Sequence, residues 1–240
     1  MLSVSCVLTI LAEWKKSLRE SSTICAAATG EISLTKILLI RHGHVEGIEP
    51  KRFRGRAGVP LTALGLAQAQ AVARRVASRW QPVKVYTSPL ERAVTTGAAI
   101  AEACGVGTEV VDTLIDIDYG AWQGKTEAEV SASEPTLFAA WHDTPQLVRF
   151  PGGEALQDLV ARAADALRDT LARHPDETAV LVAHDSVNRT LLLQLLDQPL
   201  STYWRLVQSP CCINEIDVKE GCIEVLRVNE TAHLDELAGA

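Results

Sequence analysis

Two stretches of the chain are apolar without polar alternation, and each ends in a histidine. Residues 37–40 are followed by Arg41 and His42, and residues 179–183 are followed by His184. An unbroken apolar run indicates a strand that is buried on both faces, as in a parallel sheet. The polar residues after such a strand lie at the carboxyl edge of the sheet, where open α/β sheets bind their ligands. The pattern therefore predicts a site built at strand ends.

Between and after these runs, helical and extended spacing of apolar residues alternate. Apolar residues recur at helical spacing from Thr62 to about residue 80, and Thr62 has the hydroxyl side chain of an N-cap. This alternation predicts an α/β fold, a three-layer α/β/α sandwich whose mostly parallel sheet has an antiparallel edge strand. The same criteria predict further helices at 88–104, 126–143 with a break at Pro135, 155–173 and 185–196, and strands at 83–87, 108–111, 211–218 and 222–229.

The start of the helix near residue 88 combines several local signals. Ser88 is predicted to be the N-cap, Pro89 the first helical residue and Glu91 the acidic partner of a capping box. Arg92 then lies in the first turn, beside backbone amides that have no partner within the helix. Because an arginine and a helix start both attract anions, this segment predicts part of an anion site.

Composition and charge limit the class of protein. The chain has 240 residues, of which 47% are hydrophobic and 22% charged, an ordinary globular composition with enough apolar residues for a sizeable core. Its net charge of −7 argues against nucleic acid or an anionic membrane surface as a partner. The six cysteines lack metal-binding or disulfide spacing and are interpreted as reduced thiols of an intracellular protein.

The beginning of the chain is interpreted separately. An apolar run at 2–12 has no positive charge before it and is followed by charged residues, which is the wrong order for a secretory signal. The run is also too short to cross a membrane. We predict an N-terminal extension at 1–33, a single domain at 34–230 and a C-terminal tail at 231–240. A cytoplasmic location is expected, whereas the oligomeric state, a homodimer included, is not readable from the sequence.

The polar residues at the strand ends have a common chemistry. If they converge at one edge of the sheet, Arg41, Arg92, His42 and His184 form a positive and directional cluster that suits a phosphate group. One histidine, held neutral by the neighbouring cations, can act as a nucleophile and carry a phosphoryl group. The other can stabilise the charge of the group during transfer.

The cluster still lacks an acid that could protonate a leaving alcohol. The turn-rich stretch at 114–124 supplies two candidates, Asp116 and Asp118. A purely turn-forming role is the alternative for Asp116, because aspartate favours turns.

Several short motifs follow one another between about residues 35 and 218. They are Arg41-His42-Gly43, Pro60-Leu-Thr-x-x-Gly65-x-x-Gln68-Ala, Ser88-Pro-Leu-x-Arg92-Ala93, Gly120-x-Trp-x-Gly124, Pro151-Gly-Gly-Glu154 and Ala183-His184. Together they resemble the motifs of the histidine phosphatase superfamily, also called phosphoglycerate-mutase-like, in its branch 1 type. A single Arg-His-Gly triplet is weak evidence, but several motifs in the family's order are strong evidence.

This resemblance implies a phosphatase that hydrolyses small phosphomonoesters without a metal or other cofactor. It implies that His42 is the phosphorylated nucleophile and that Arg41, Arg92 and His184 complete the phosphate pocket. The family's usual proton donor is a glutamate, and the matching position is Asp116, four residues before Gly120.

Two positions differ from the family's usual residues in ways that concern the substrate. Asp116 is one methylene shorter than glutamate, which moves the acid by about 1.5 Å, the length of one C–C bond. The residue before the glycine of the loop at 45–59 is usually glutamine, and here it is Arg54. We predict that Arg54 and Gly55 contact the substrate, and we hypothesise that Arg54 binds a second acidic group.

Three other functions stay open at this point. A phosphoglycerate-type mutase is the first, but mutases of this superfamily carry a longer insertion than the one between Gly124 and Gly152. The second is a phosphate-ester-binding protein without turnover. The third is a metal hydrolase that uses His42 and His44 as ligands, although no further well-spaced histidines follow. The leading interpretation has a small phosphorylated metabolite as its partner, without nucleic acid, membrane or metal.

Overall fold

The computed structural model describes residues 34–48, 51–219 and 222–237. The predicted extension at 1–33 lies outside the described residues, as do positions 238–240 of the predicted tail. The strands are β1 (Leu34–Arg41), β2 (Lys84–Thr87), β3 (Thr108–Val110), β4 (Thr178–Ala183), β5 (Ile213–Lys219) and β6 (Cys222–Glu230). The helices are α1 (Ala63–Arg79), α2 (Glu91–Cys104), α3 (Glu127–Ser133), α4 (Pro135–Asp143), α5 (Leu156–Arg173) and α6 (Asp185–Leu195).

The strands form one sheet in the order β3-β2-β4-β1-β5-β6. The first four strands in this order are parallel to one another, while β5 pairs antiparallel with both β1 and β6. Helices cover both faces. The predicted three-layer α/β sandwich with a mostly parallel sheet and an antiparallel edge is therefore confirmed.

The absence of polar alternation in β1 follows from its central position in the sheet. Ile37 and Leu39 belong to the apolar cluster that contains the inner faces of α5 and α6. Leu38 and Ile40 belong to the cluster on the other face, which contains the inner residues of α1 and α2. Because all four side chains are at most 1% exposed, neither face of β1 has room for a polar residue until the strand ends.

The predicted start of α1 is confirmed, whereas the predicted start of α2 is wrong. Thr62 caps α1, and its side chain accepts a hydrogen bond from Gly65 N at 3.1 Å. Helix α2 begins at Glu91, with Leu90 at the N-cap position and no side-chain cap. Ser88 does not cap this helix because its hydroxyl contacts His184 on the neighbouring strand end.

The loop that follows β1 lies directly against the first turn of α1. A Cβ atom on Gly43 would lie 2.5 Å from the carbonyl oxygen of Gly65, and one on Gly65 would lie 2.1 Å from the carbonyl oxygen of His44. Both distances are far below a van der Waals contact, so neither position has room for a side chain. The two glycines of the sequence motifs thereby fix the position of the loop next to His42.

The chain remains packed beyond β6. Residues Ala232–Leu237 form a 3-10 turn in which Leu234 packs against the core on the α1 side. His233 Nε2 lies 3.0 Å from the carbonyl oxygen of Cys211. Within the described parts of the chain, no helix is long and apolar enough to span a bilayer.

Candidate active site

The carboxyl ends of β1, β2 and β4 lie level with one another. Arg41 is in register with Ala183, and Thr87 is in register with Val182. The ladder continues one residue further, since His42 N donates to Ala183 O at 3.0 Å. These main-chain bonds bring together the residues that the sequence predicted at separate strand ends.

His42 is buried in the centre of this edge with its two ring nitrogens in different surroundings. Its Nδ1 lies 2.7 Å from the carbonyl oxygen of Gly43, and because a carbonyl can only accept, Nδ1 carries the proton. The other nitrogen, Nε2, therefore has a lone pair, and Arg92 Nε donates to it at 3.3 Å. The ring of His184 lies next to it, with 5.1 Å between centroids.

Electrostatics keep His42 neutral. Burial is the main cause that lowers its pKa well below the usual value, and the nearby His184, Arg41 and Arg92 lower it further. A neutral imidazole has a lone pair that can attack an electrophile once the hydrogen bond from Arg92 Nε to this nitrogen is displaced. The structure thus confines His42 to the protonation state and the tautomer that a nucleophile requires.

Arg92 joins the strand ends to the surrounding loops. Its guanidinium donates to the carbonyl oxygens of Ala57 at 2.8 Å and Gly55 at 2.6 Å, and its Nη2 lies 3.3 Å from Asp116 Oδ2. Arg92 is fully buried, which lowers its pKa, while Asp116 opposes this effect. The position of Arg92 in the first turn of α2 is as predicted.

His184 is oriented by the hydroxyl that the sequence assigned to a helix cap. Its Nε2 lies 2.7 Å from Ser88 Oγ, and the same oxygen accepts from Leu90 N at 3.3 Å. In the tautomer in which the Ser88 hydroxyl donates to Nε2, the ring proton of His184 is on Nδ1. Burial and then Arg92 and Arg41 lower the pKa of His184 well below its usual value, so this ring is also neutral.

Two buried nitrogen atoms of this cluster have no hydrogen-bond partner. They are Nε of Arg41 and Nδ1 of His184, which lies 3.7 Å from Asp116 Oδ2. The other contacts of Arg41 run from its Nη1 to the carbonyl oxygen of Gln208 and, at 3.9 Å, to Asp185. Because an unpaired buried donor costs free energy, these atoms indicate a ligand rich in acceptor oxygens.

Asp116 lies in the loop between β3 and α3 and reaches the cluster through its contacts with Arg92 and His184. It is 8% exposed, and its Oδ1 accepts from Ile117 N at 2.9 Å. Burial raises the pKa of Asp116, although Arg92 and the Ile117 amide oppose the rise. A buried carboxyl with a raised pKa keeps its proton to higher pH than an exposed one, as a proton donor must.

The loop of Asp116 is held by an arginine that the sequence analysis did not select. Arg162 on α5 donates to the carbonyl oxygens of Thr113 at 2.9 Å and Asp116 at 3.0 Å, and also to that of Ile115. Glu154 binds the same guanidinium with both oxygens, at 3.0 and 2.9 Å. Arg162 and Glu154 thus form a clamp on the loop at 113–118, called the acid loop below because it carries the candidate acid Asp116.

The clamp includes two more charged residues. Arg56 Nη2 donates to Glu154 at 2.9 Å, and its Nη1 lies 3.3 Å from Asp118 Oδ2. Burial alone would raise the pKa of Glu154, but its hydrogen bonds from Arg162 and Asp118 N lower it. The sequence contains one signal for this role of Arg162. The residue is charged, yet it falls at helical spacing between the core residues Leu159 and Ala166.

The predicted substrate residues Arg54 and Gly55 lie beside the cluster. Arg54 Nη1 donates to Gly47 O, and Gly55 O accepts the hydrogen bond from Arg92 described above. Gly55 has φ +47°, a left-handed conformation that favours glycine. These positions therefore frame the guanidinium of Arg92 as well as the edge of the cluster.

His44, the second histidine of the metal alternative, has other contacts. Its Nδ1 lies 2.9 Å from Thr62 Oγ1, and its backbone amide donates to Gln68 Oε1 at 2.8 Å. Both contacts are to the beginning of α1. Across the described residues, no three histidine, cysteine, aspartate or glutamate side chains are grouped in a way that could hold a metal ion.

A pocket with neutral histidines, buried arginines and unpaired donors at the carboxyl edge of an α/β sheet is typical of proteins that bind a phosphoryl group. The family model described as histidine phosphatase superfamily (branch 1) matches residues 37–231. The chain belongs to this superfamily, and its expected family is confirmed.

Curated relatives support the same class. The chain is 32% identical over 203 residues to phosphoserine phosphatase 1 of Hydrogenobacter thermophilus, covering 85% of this chain and 96% of that one. It is 30% identical over 176 residues to glucosyl-3-phosphoglycerate phosphatase of Mycobacterium tuberculosis, covering 70% and 78%. The solved structure of YhfR from Bacillus stearothermophilus has a TM-score of 0.79 at 27% identity and covers 84% of this chain and 100% of that one. The chain is a phosphatase of phosphoric monoesters, as predicted.

Proposed function

We propose that this phosphatase hydrolyses small phosphorylated metabolites through a phosphohistidine on His42, with Asp116 as the proton donor. The observation that carries the proposal is the environment of His42 Nε2. This atom has a lone pair, lies 3.3 Å from Arg92 Nε, and belongs to a neutral imidazole. Phosphoserine and glucosyl-3-phosphoglycerate, in the names of the relatives, are both small phosphorylated metabolites.

In the first step, His42 Nε2 attacks phosphorus and the bond to the leaving oxygen breaks. Arg41 Nε, His184 Nδ1 and the Arg92 guanidinium bind the phosphoryl oxygens and stabilise their charge. The leaving oxygen takes the proton of Asp116 and departs as an alcohol. The products of this step are phosphorylated His42 and an Asp116 carboxylate.

In the second step, water attacks the phosphorus of the phosphohistidine. Asp116 now acts as a base and takes a proton from this water, while the P–N bond breaks and its electrons return to His42 Nε2. Inorganic phosphate leaves, and both residues have regained their initial protonation states. No metal or other cofactor enters either step.

The contacts of Asp116 support the role of proton donor better than the contacts of Asp118 do. The carboxylate of Asp116 reaches Arg92 and, at 3.7 Å, His184. The carboxylate of Asp118 instead accepts from Gly120 N at 2.8 Å and pairs with Arg56 at 3.3 Å. Asp118 therefore belongs to the loop structure around the acid.

Rapid acid-quench labelling tests the proposal. The enzyme is mixed with a ³²P-labelled phosphomonoester, quenched within milliseconds, and analysed for acid-labile label by peptide mapping. We expect the label on the peptide that contains His42, with formation and decay at rates compatible with turnover. Label that forms without phosphate release would indicate a binding protein without turnover, and turnover without label would overturn the phosphohistidine route.

A matched histidine provides the control for this experiment. His142 on α4 is exposed and stacks on Trp204, which is not part of the cluster at the sheet edge. His142→Ala should label like the wild type, whereas His42→Ala should not label. A metabolite panel with both proteins then identifies the substrates whose hydrolysis depends on His42.

We also propose a domain organisation, a cellular location and a class of partner for the whole protein. A single domain at 34–230 is supported by one sheet with a core on each face. A cytoplasmic location is supported by free thiols at Cys104, Cys211, Cys212 and Cys222. The net charge of −7 supports partners other than nucleic acid. A homodimer is tested by light scattering coupled to gel filtration.

A further inference from the structure

Arg54 is a cation at the edge of the pocket. Its Nη1 donates to the backbone oxygen of Gly47, and within the described part of the chain no carboxylate forms an ion pair with it, although the charge of Asp116 raises the pKa of Arg54. The side chain is half-buried. Arg54 immediately precedes Gly55, whose carbonyl oxygen accepts from Arg92 Nη2 at 2.6 Å, and its charge opposes the burial-driven rise in the pKa of Asp116.

The other arginines around the pocket that hold loops are neutralised by carboxylates. Arg162 and Arg56 both lie 2.9 Å from Glu154, and Arg56 also pairs with Asp118 at 3.3 Å, so two carboxylates face these two cations. Both carboxylate oxygens of Asp185 accept from Arg189 Nε, at 3.1 and 3.0 Å. These pairs account for their own charges, so they contribute little net charge to a bound ligand.

The charges that remain can be balanced against the substrate of the proposed reaction. Arg41, Arg54 and Arg92 contribute three positive charges, both histidines are neutral, and Asp116 is neutral when it carries the proton to be donated. A phosphomonoester has a charge of about −2 at neutral pH. One positive charge is then left without a partner, and a buried or half-buried cation favours an anion next to it.

We propose that Arg54 binds a second anionic group of the substrate, and that the preferred substrates are phosphorylated carboxylic acids whose carboxylate lies near the phosphoester. A carboxylate supplies the single negative charge that balances the pocket, whereas a second phosphate would exceed it. The guanidinium fork matches a carboxylate geometrically and can bind it through two hydrogen bonds. This inference rests on the proposed function, because it places the phosphoryl group among Arg41, Arg92 and His184.

The experiment compares substrates that differ only by a carboxylate. The first pair is 3-phosphoglycerate and glycerol 3-phosphate, and the second is phosphoglycolate and 2-hydroxyethyl phosphate. We expect the wild type to prefer the carboxylated member of each pair by about tenfold to a hundredfold in kcat/KM, the range expected for a charge-assisted bond. Arg54→Gln should remove this preference by raising KM for the carboxylated member alone. Arg54→Lys should keep part of it, because the charge remains.

Two controls separate specificity from structure. Arg52 lies in the same loop, is exposed, and donates to Gly124 O at 3.0 Å, so Arg52→Gln should keep the wild-type preference. Inhibition by inorganic phosphate should be unchanged in Arg54→Gln, because phosphate alone has no second group.

The outcomes distinguish a failure of the Arg54 proposal from a failure of the phosphohistidine mechanism. If Arg54→Gln lowers kcat/KM equally for both members of each pair, or if the preference survives the substitution, this inference is overturned while the phosphatase mechanism stands. If His42→Ala hydrolyses these esters as well as the wild type, the proposed mechanism fails irrespective of Arg54. A loss of preference confined to Arg54 variants with normal phosphate inhibition supports the inference.

Discussion

The two sides of the candidate site are held in place in different ways. Arg41, His42 and His184 stand at the ends of neighbouring strands, and main-chain bonds such as His42 N to Ala183 O, at 3.0 Å, fix their spacing. Asp116 stands in a loop that has no strand ladder. Its backbone is positioned instead by the side chain of Arg162, which Glu154 holds with two hydrogen bonds.

This difference affects how each side tolerates change. A sheet positions its strand ends through many cooperative main-chain bonds, so a single side chain at its edge can be replaced without moving the others. The acid loop depends on a few charged hydrogen bonds, and losing one of them leaves buried polar groups unpaired. We therefore expect substitutions on the strand-end side to remove chemistry alone, and substitutions in the clamp to affect both geometry and stability.

The largest effect is expected for His42→Ala. Without the nucleophile, kcat/KM should fall by about 10⁴-fold or more. The free energy of unfolding should stay near the wild-type value at neutral pH, because the strand ladder is intact. Steady-state kinetics and urea denaturation of the same preparation check both statements. A large loss of stability would contradict the idea that the strand ends are held by the main chain.

Asp116→Asn should have a smaller effect that depends on the leaving group. Hydrolysis of alkyl phosphates needs a proton donor, so kcat should fall by about 10²- to 10³-fold. Hydrolysis of p-nitrophenyl phosphate should fall by about tenfold or less, because its phenolate leaves without full protonation. Asp118→Asn should show no such dependence, and an equal loss for both leaving groups in Asp116→Asn would argue against the acid role.

Glu154→Gln should weaken the clamp. Arg162 would lose its charged partner, and the free energy of unfolding should fall by about 1–3 kcal/mol, as for other hydrogen bonds to buried charged groups. The displaced acid should lower kcat for alkyl phosphates by about tenfold, with a smaller effect for p-nitrophenyl phosphate. Chemical denaturation and kinetics with both substrates measure these changes.

A second substitution on the same helix serves as the control for the clamp. Arg168 pairs with Asp165 on the exposed side of α5. Since exposed ion pairs contribute little, Arg168→Gln should change the free energy of unfolding by about 0.5 kcal/mol or less and leave kcat unchanged. A comparable loss in both variants would mean that the clamp is no more than a surface network.

The smallest expected effect is on the pH dependence of stability. His42 and His184 have pKa values lowered in the folded state, so below about pH 6.5 the unfolded chain binds more protons than the folded one. Stability should therefore fall as the pH falls below about 6.5 and be level above it. His42→Ala should reduce this slope by up to about 1.4 kcal/mol per pH unit. The raised pKa of Asp116 acts with the opposite sign, since its contribution is lost as the pH rises through that pKa.

Denaturation curves between pH 5 and 8 for the wild type and His42→Ala test this linkage. An equal slope in both proteins would show that His42 is not held neutral by its environment. The same data would then also weaken the proposed nucleophile, because its lone pair depends on the neutral state.

Local signals predicted the fold well where the tertiary contacts are compatible with them. Thr62 has the side chain of an N-cap and is one: its hydroxyl accepts from Gly65 N at 3.1 Å while it also contacts His44 Nδ1 at 2.9 Å. The same N-cap rule failed at Ser88, whose hydroxyl is shared between Leu90 N and His184 Nε2. The competing partner lies on a strand that is distant in sequence, so no local rule could have found it.

The sequence alone determined the sheet, its layers and the strand ends where chemistry would lie, because hydrophobic periodicity and turn signals act locally. It also selected His42, Arg41, Arg92, His184 and Asp116 as neighbours. Only the tertiary structure decided how they are used: which nitrogen of His42 has the lone pair, which hydroxyl orients His184, and which side chains hold Asp116. Those properties depend on hydrogen bonds and burial between residues far apart in the chain, and the Arg162–Glu154 clamp exists only once α5 packs beneath the acid loop.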